Sequence, residues 1–391
     1  MKTGKLRKIL STVLAVLLVA SLMAASAAAD DGHEEAKKAA VAFLKSAVAD
    51  KCPIASFETD DPLLSVTSYT YDSAIAALAL MSEGDYESAS AILDGFVDAM
   101  QIEEYKDRLR NASMAGNAAT PPGYWNNAQG AWLQDAFQVG TGTKSSCAAA
   151  VALLTYHRAV PNEKYLNTAV TVIKWVMSNC HDDNPGYTAG FTGWKTKDGV
   201  WTDLTYKSTS DNLWMAAACH MLARATGWDI YDEAAASATQ FVKEKMYSAG
   251  DSRFFQGTAE DGVTPVANLI LVDVQALAEL SLGDDSGMDN IAMCRAGDGG
   301  YAYDNSNISG SWLEGSAIAA LALKEIGEKE KANAALSMME KLQLPSGIFP
   351  QTSIPELKTG EKDRVIENIP SVAPCAWFIL AVNGTNPLRE N

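Results

Sequence analysis

Four acidic residues stand where a polar segment gives way to a long apolar run: Asp72 in TYTYDSA, Asp211 in TSDNLWM, Asp273 in LVDVQAL and Glu314 in SWLEGSA. That place is the first turn of a helix, where unpaired N–H groups and the helix dipole stabilise a carboxylate. Each acid could therefore be a structural cap. Brought together they could do more, because glycosidic cleavage needs one carboxyl held protonated and another held ionised. Other chemistries have less support. His157, His181 and His220 have no GxSxG elbow to serve, and neither a phosphate loop nor a dinucleotide fingerprint occurs. The pairs Cys180-His181 and Cys219-His220 lack partners at zinc spacing, and the acidic loop 296–306 departs from the EF-hand pattern. Neither a cofactor nor a metal is expected.

Positioning these acids falls to a repeated helical hairpin. The segments ALALMSEGDYESASAILDGFV, ALLTYHRAVPNEKYLNTAVTVIKWV, ACHMLARATGWDIYDEAAASATQFV and ALALKEIGEKEKANAALSMMEKL align as helix, short turn, helix. In the second helix around 163–179, Lys164, Asn167, Thr171, Lys174 and Ser178 recur at helical spacing and leave one apolar face, which marks an outer helix. The first helices are apolar nearly all round, as an enclosed inner helix must be. Inner helices are predicted near 71–82, 144–158, 210–225, 271–282, 312–326 and 372–383. Outer helices precede them near 33–50, 86–100, 163–179, 229–247, 286–295 and 328–343. The fold class predicted is thus all-α, an (α/α)6 toroid with inner and outer rings of six helices, in a single domain over residues 30–391.

The connections are unequal. Inner-to-outer turns are short, whereas outer-to-inner loops span 51–70, 101–143, 180–209, 248–270, 296–311 and 344–371, so all the long loops gather on one face. They carry PPGYWNNAQGAW, NPGYTAGFTGWKTKDGVW, SRFFQGT and GDGGYAYDNSNISGSW. Tyr124, Trp125, Trp132, Trp194, Trp201, Tyr301 and Trp312 are the candidate platforms for a carbohydrate, whose flat C–H faces stack on rings while Asn and Asp meet its hydroxyls. Any one ring could instead only pin its loop. Asp211 and Asp72 are the preferred acid/base pair, with Glu314 and Asp273 as alternates.

Hairpin count and loop asymmetry together resemble the six-hairpin glycosidase superfamily over nearly the whole chain after the leader. Locally, DNLWMAAACHMLARATGWDIYDEAA is similar to the stretch of unsaturated glucuronyl and rhamnogalacturonyl hydrolases in which an Asp opens an inner helix that ends in a TG turn. The resemblance implies a general acid/base role for Asp211. YTYDSAIAALALMSEGDYESASAILD, SWLEGSAIAALAL and SVAPCAWFILAVNGTNPL also resemble a set of secreted toroids. Those carry STEHNLD where this chain has STSDNLW, so that Ser210, Asp211 and Trp214 replace Glu, His and Asp.

Lys2, Lys5, Arg7 and Lys8 precede an apolar run that ends in SLMAASAAAD, which predicts a cleaved signal peptide over residues 1–29 and an exported protein with no membrane insertion afterwards. Removing those four cations takes the net charge from −17 to −17 − 4 = −21. A surface so acidic disfavours nucleic acid and anionic lipid as partners. The expected partner is a carbohydrate, met by a monomer. Cys52, Cys147, Cys180, Cys219, Cys294 and Cys375 are read as mostly buried free thiols, with one or two bridges permitted by export. Asn111, Asn307 and Asn383 begin glycosylation sequons. The function expected is a secreted glycoside hydrolase; the alternative is a non-catalytic glycan-binding or surface protein on the same scaffold.

Overall fold

The computed structural model describes residues 32–50, 52–102, 106–193 and 201–389. The predicted signal segment and Trp194 lie outside them, as does the side chain of Trp201. Outer and inner helices alternate along the chain, with a 3-10 segment in the outer place between α8 and α9: α1 (Glu34–Asp50), α2 (Thr70–Ser82), α3 (Tyr86–Ala99), α4 (Thr143–Ala159), α5 (Glu163–Asn179), α6 (Thr209–Thr226), α7 (Asp229–Gln240), α8 (Val272–Leu282), α9 (Leu313–Glu325), α10 (Lys329–Glu340) and α11 (Val372–Asn383). The fold is the predicted (α/α)6 toroid. The inner helices pack in the cycle α2, α4, α6, α8, α9, α11 and back to α2, and most residues in them are buried.

Local signals set the helix ends. Ser208 caps α6 by accepting from Asp211 N at 3.3 Å, and Asp85 caps α3 by accepting from Ser88 N at 3.0 Å. Helices α6, α8 and α11 stop at Gly227, Gly283 and Gly384, whose φ values of 70°, 62° and 63° suit a residue without a Cβ.

One set of hydrogen bonds closes the ring at its loop face. The first residue of every inner helix donates its N–H to a carbonyl in the loop that leads to the next inner helix. Thr70 donates to Asn111 (2.8 Å), Thr143 to Ala189 (3.1 Å), Thr209 to Gln256 (3.0 Å), Val272 to Tyr303 (3.1 Å), Leu313 to Gln351 (2.9 Å) and Val372 to Ser56 (3.0 Å). The last bond joins the sixth helix to the first loop. Each satisfies a helix-terminal donor that has no partner within its own helix. The hydroxyls of Thr70, Thr143 and Thr209 add bonds of 2.7, 2.6 and 2.6 Å to the carbonyls of Arg110, Thr188 and Phe255. Short antiparallel ribbons grow from these contacts, among them the sheet of Thr141–Gly142, Gly190–Gly193 and Trp201–Leu204. A Cβ on Gly190 (φ +107°) would lie 2.1 Å from the Thr141 carbonyl, so the ribbon needs glycine there.

The fifth outer element departs from expectation. Residues Asp285–Cys294 form a 3-10 helix instead of an α-helix. Gly, Ser, Asp and Asn are weak helix formers. Gly287 also presses so closely on α8 that a Cβ would meet Gln275 Oε1 at 2.4 Å. At the end of the ring away from the loops, Arg389 donates to Glu279 O (2.7 Å) and pairs with Glu325, while Asn386 donates to Leu280 O (2.8 Å). All six cysteines are free thiols. Asn111 is buried, donates to Phe137 O (2.8 Å) and accepts from Gly142 N (2.7 Å), so its sequon is sealed inside the fold. No described helix is long and apolar enough to cross a membrane.

Candidate active site

The loop face holds a cavity of about 520 Å3, within the roughly 300–1,000 Å3 of small-molecule sites. Asp72, Asp211, Asp273 and Glu314 all line it. Each comes from the first turn of a different inner helix, α2, α6, α8 and α9. None of the four carboxylates caps its helix: α2, α8 and α9 have no side-chain cap, and Ser208 caps α6. The carboxyl groups are thereby left to the cavity.

The fifth inner helix to contribute, α4, supplies a cation that sequence reading missed. Lys144 lines the cavity with its ammonium 4.5 Å from the centre of the Tyr71 ring. Its position was marked in the sequence, because the opening Thr of α2, α4 and α6 is followed within two residues by Asp72, Lys144 and Asp211. The sixth, α11, brings no charge, and the loop before it takes that place with Glu361 and Arg364. Arg364 donates to Tyr303 Oη at 2.8 Å and pairs with Glu361 at 2.9 Å.

Burial raises the pKa of all four acids. Asp72 is pushed up to about 7 by desolvation, reinforced by the charge of Glu314 and opposed by a bond from Ser56 and by Lys144. Asp211 is pushed up to about 6 by the same desolvation, with Lys144 and Ser208 opposing and Asp273 adding. Desolvation also raises Asp273, against Lys144 and Arg364, and Glu314, against Lys144 and the Tyr71 hydroxyl. Lys144 is thus the counter-charge common to all four. Near neutral pH the cavity can hold one proton-bearing carboxyl beside ionised ones.

Beneath the acids lies an aromatic floor. Trp377 Nε1 donates to Tyr71 Oη at 3.0 Å, and Tyr71 donates to Glu314 Oε1 at 2.9 Å. Trp214 meets the edges of both rings, at 5.9 Å from Tyr71 and 6.3 Å from Trp377. The residue that stands where the resembled toroids carry Asp is therefore a fully buried floor ring, one turn below Asp211. Asp273 Oδ1 and Ser210 Oγ are buried without a hydrogen-bond partner, and both residues line the cavity. Such groups need a partner, which water or a ligand in the cavity can supply.

The aromatic expectations divide. Trp312 lines the cavity, its indole lying so close over Gly315 that a Cβ there would meet it at 2.2 Å. Tyr301 is buried outside the cavity and accepts from Arg295 at 3.1 Å, so it pins its loop. Tyr124, Trp125 and Trp132 sit on the hairpin Tyr124–Asn126/Ala131–Leu133 and do not line the cavity. Its aromatic wall is instead Tyr69, Tyr71, Phe137, Tyr206 and Tyr303 with Trp312. None of the four histidines lines it.

No protein-family description matches the chain, and no curated protein does. Solved structures do match in fold. A D-mannose isomerase superposes with a TM-score of 0.63 at 15% identity, covering 90% of this chain and 97% of that one. A cellobiose 2-epimerase from Spirochaeta thermophila gives 0.62 at 14% identity over 88% and 93% of the two chains. A glycosidase in complex with glucose gives 0.62 at 11% over 90% and 98%. The likeness is one of fold, the (α/α)6 toroid.

Proposed function

We propose that the protein is a carbohydrate-active enzyme, specifically an exported glycoside hydrolase whose acid/base groups are Asp72 and Asp211. The observation that carries this reading is the meeting of four first-turn carboxyls from four inner helices in one aromatic-walled cavity, with Lys144 among them. Structural neighbours named for sugar hydrolysis, epimerisation and isomerisation support the substrate class. Carboxylates without an imidazole favour hydrolysis over the other two.

In the proposed mechanism the Asp72 carboxyl, protonated near neutral pH, gives its proton to the leaving glycosidic oxygen. Asp211, ionised at that pH, works on the opposite side, either activating water or attacking the anomeric carbon. Lys144 opposes the desolvation that raises Glu314 and Asp273, and negative charge on that pair would stabilise the positive sugar ring that develops as the bond breaks. Trp312 and Tyr303 line the cavity and give the ring an apolar wall.

The test is a panel of oligo- and polysaccharides assayed for reducing-end release, run beside a glycan-binding array. Release from at least one glycan is expected. Binding without any release would replace the hydrolase by a glycan-binding protein on the same scaffold.

A further inference from the structure

The hairpin that carries Trp125 and Trp132 is left without a role by the cavity. Its register sets the two indoles directly opposite each other, so they project from one face of the ribbon. They are 58% and 43% exposed, and among the described residues neither ring stacks on another aromatic ring. Large exposed aromatics side by side mark a binding surface.

The platform is built rather than loose. Trp132 lies against Gly123, where a Cβ would meet its Nε1 at 2.4 Å, and Asn126 closes the turn by accepting from Gly130 N at 2.8 Å and Gln129 N at 3.0 Å. It is also close to the cavity along the chain. Phe137, five residues beyond Trp132, is half exposed, lines the cavity and contacts the Tyr69 ring at 6.4 Å. Five residues of chain span at most about 17 Å.

Charge decides what this surface fits. From Asn111 to Gln134 no side chain is charged, in a chain with 20% charged residues and a net charge of −17. Nucleic acid and anionic membranes bind through Lys and Arg, which the hairpin lacks. Rings flanked by Asn126, Asn127 and Gln129 suit an uncharged polyhydroxylated chain, stacking on its C–H faces and bonding its hydroxyls.

We propose that the Trp125/Trp132 hairpin is a distal binding site for a neutral polysaccharide, which it holds along the rim that leads past Phe137 to the cavity. This rests on the proposed function for its ligand class, and it makes the substrate a polymer.

The experiment is affinity electrophoresis in native gels cast with soluble starch, xylan, galactomannan or mixed-linkage β-glucan, with polygalacturonate as the anionic control. The wild-type chain should be slowed by at least one neutral polymer. Trp125→Ala/Trp132→Ala should weaken that retardation about tenfold or more, Trp125→Phe/Trp132→Phe should keep most of it, and both should melt as wild type. No retardation of the wild type by any neutral polymer would overturn the proposal, as would retardation unchanged in the double alanine variant. If that variant only turns a dimer into a monomer in sedimentation, the face joins copies of the chain and the proposal falls. Loss of reducing-end release in Asp211→Asn with retardation intact in the double alanine variant would overturn the hairpin site and leave the hydrolase standing.

Discussion

Asp72 ties the proposed chemistry to a measurable property of the folded chain. Its carboxyl moves from an ordinary value near 3.8 to about 7 because the fold removes it from water beside Glu314. With the folded value raised, the native state binds more protons than the unfolded state between these two values. Stability therefore falls as pH rises through that window and levels off above it. The slope approaches about 1.4 kcal/mol per pH unit, so ionising Asp72 removes about 3 kcal/mol between pH 4.5 and pH 8. Asp72→Asn cannot ionise, and its amide oxygen can still accept from Ser56. At about 2.1 cal/mol/K of unfolding entropy per residue, a chain this long changes Tm by roughly 4 °C for that energy. Scanning calorimetry of both proteins at pH 4.5 and pH 8, at one ionic strength, measures it. The difference Tm(D72N) minus Tm(wild type) should grow by about 4 °C from the lower pH to the higher. The other three acids are present in both proteins and largely cancel. A difference that stays constant with pH would refute the raised pKa of Asp72, and with it the basis for naming that residue the acid.

Two further outcomes follow from the surrounding charges. Lys144→Met removes the cation that lowers all four carboxyls, so both limbs of the pH–activity profile should move to higher pH; a fixed profile in initial-rate assays would remove Lys144 from the electrostatic account. Lys207 is fully buried, with Nζ at 2.6 Å from Asp182 Oδ1, 3.1 Å from Asn184 O and 3.0 Å from Pro185 O. Lys207→Met should lower stability by about 3 kcal/mol in urea titration by orphaning those acceptors, and a loss under about 0.5 kcal/mol would show that the loop 180–209 is held by other contacts.

The ring of helices was legible because its signal is periodic. Enclosed helices must be apolar all round and outer ones on one face, so α2 to α11 fall close to their expected ranges. Residues 285–294 broke the pattern because close packing at Gly287, which periodicity does not register, governs that segment. The four acids were legible from their place at helix starts, since the same register repeats around a ring. Lys144 occupies an equivalent place and was missed because a cation in a first turn opposes the helix dipole and looks like a surface residue. The rings were the least legible. Tyr301 and Tyr303 stand two residues apart on one loop, yet one is buried against Arg295 and the other lines the cavity. Loop path decides that, and the hydrogen bonds that set the path join residues distant in sequence, as Val272 to Tyr303 does.

The central claim is that Asp211 acts chemically in the loop-face cavity. Its most direct test is the rate of Asp211→Asn on the glycan that the wild-type chain cleaves, with helical circular dichroism recorded on the same sample. A loss of about 100-fold or more in kcat with an unchanged helical spectrum is predicted. Wild-type kcat in that variant would contradict the account.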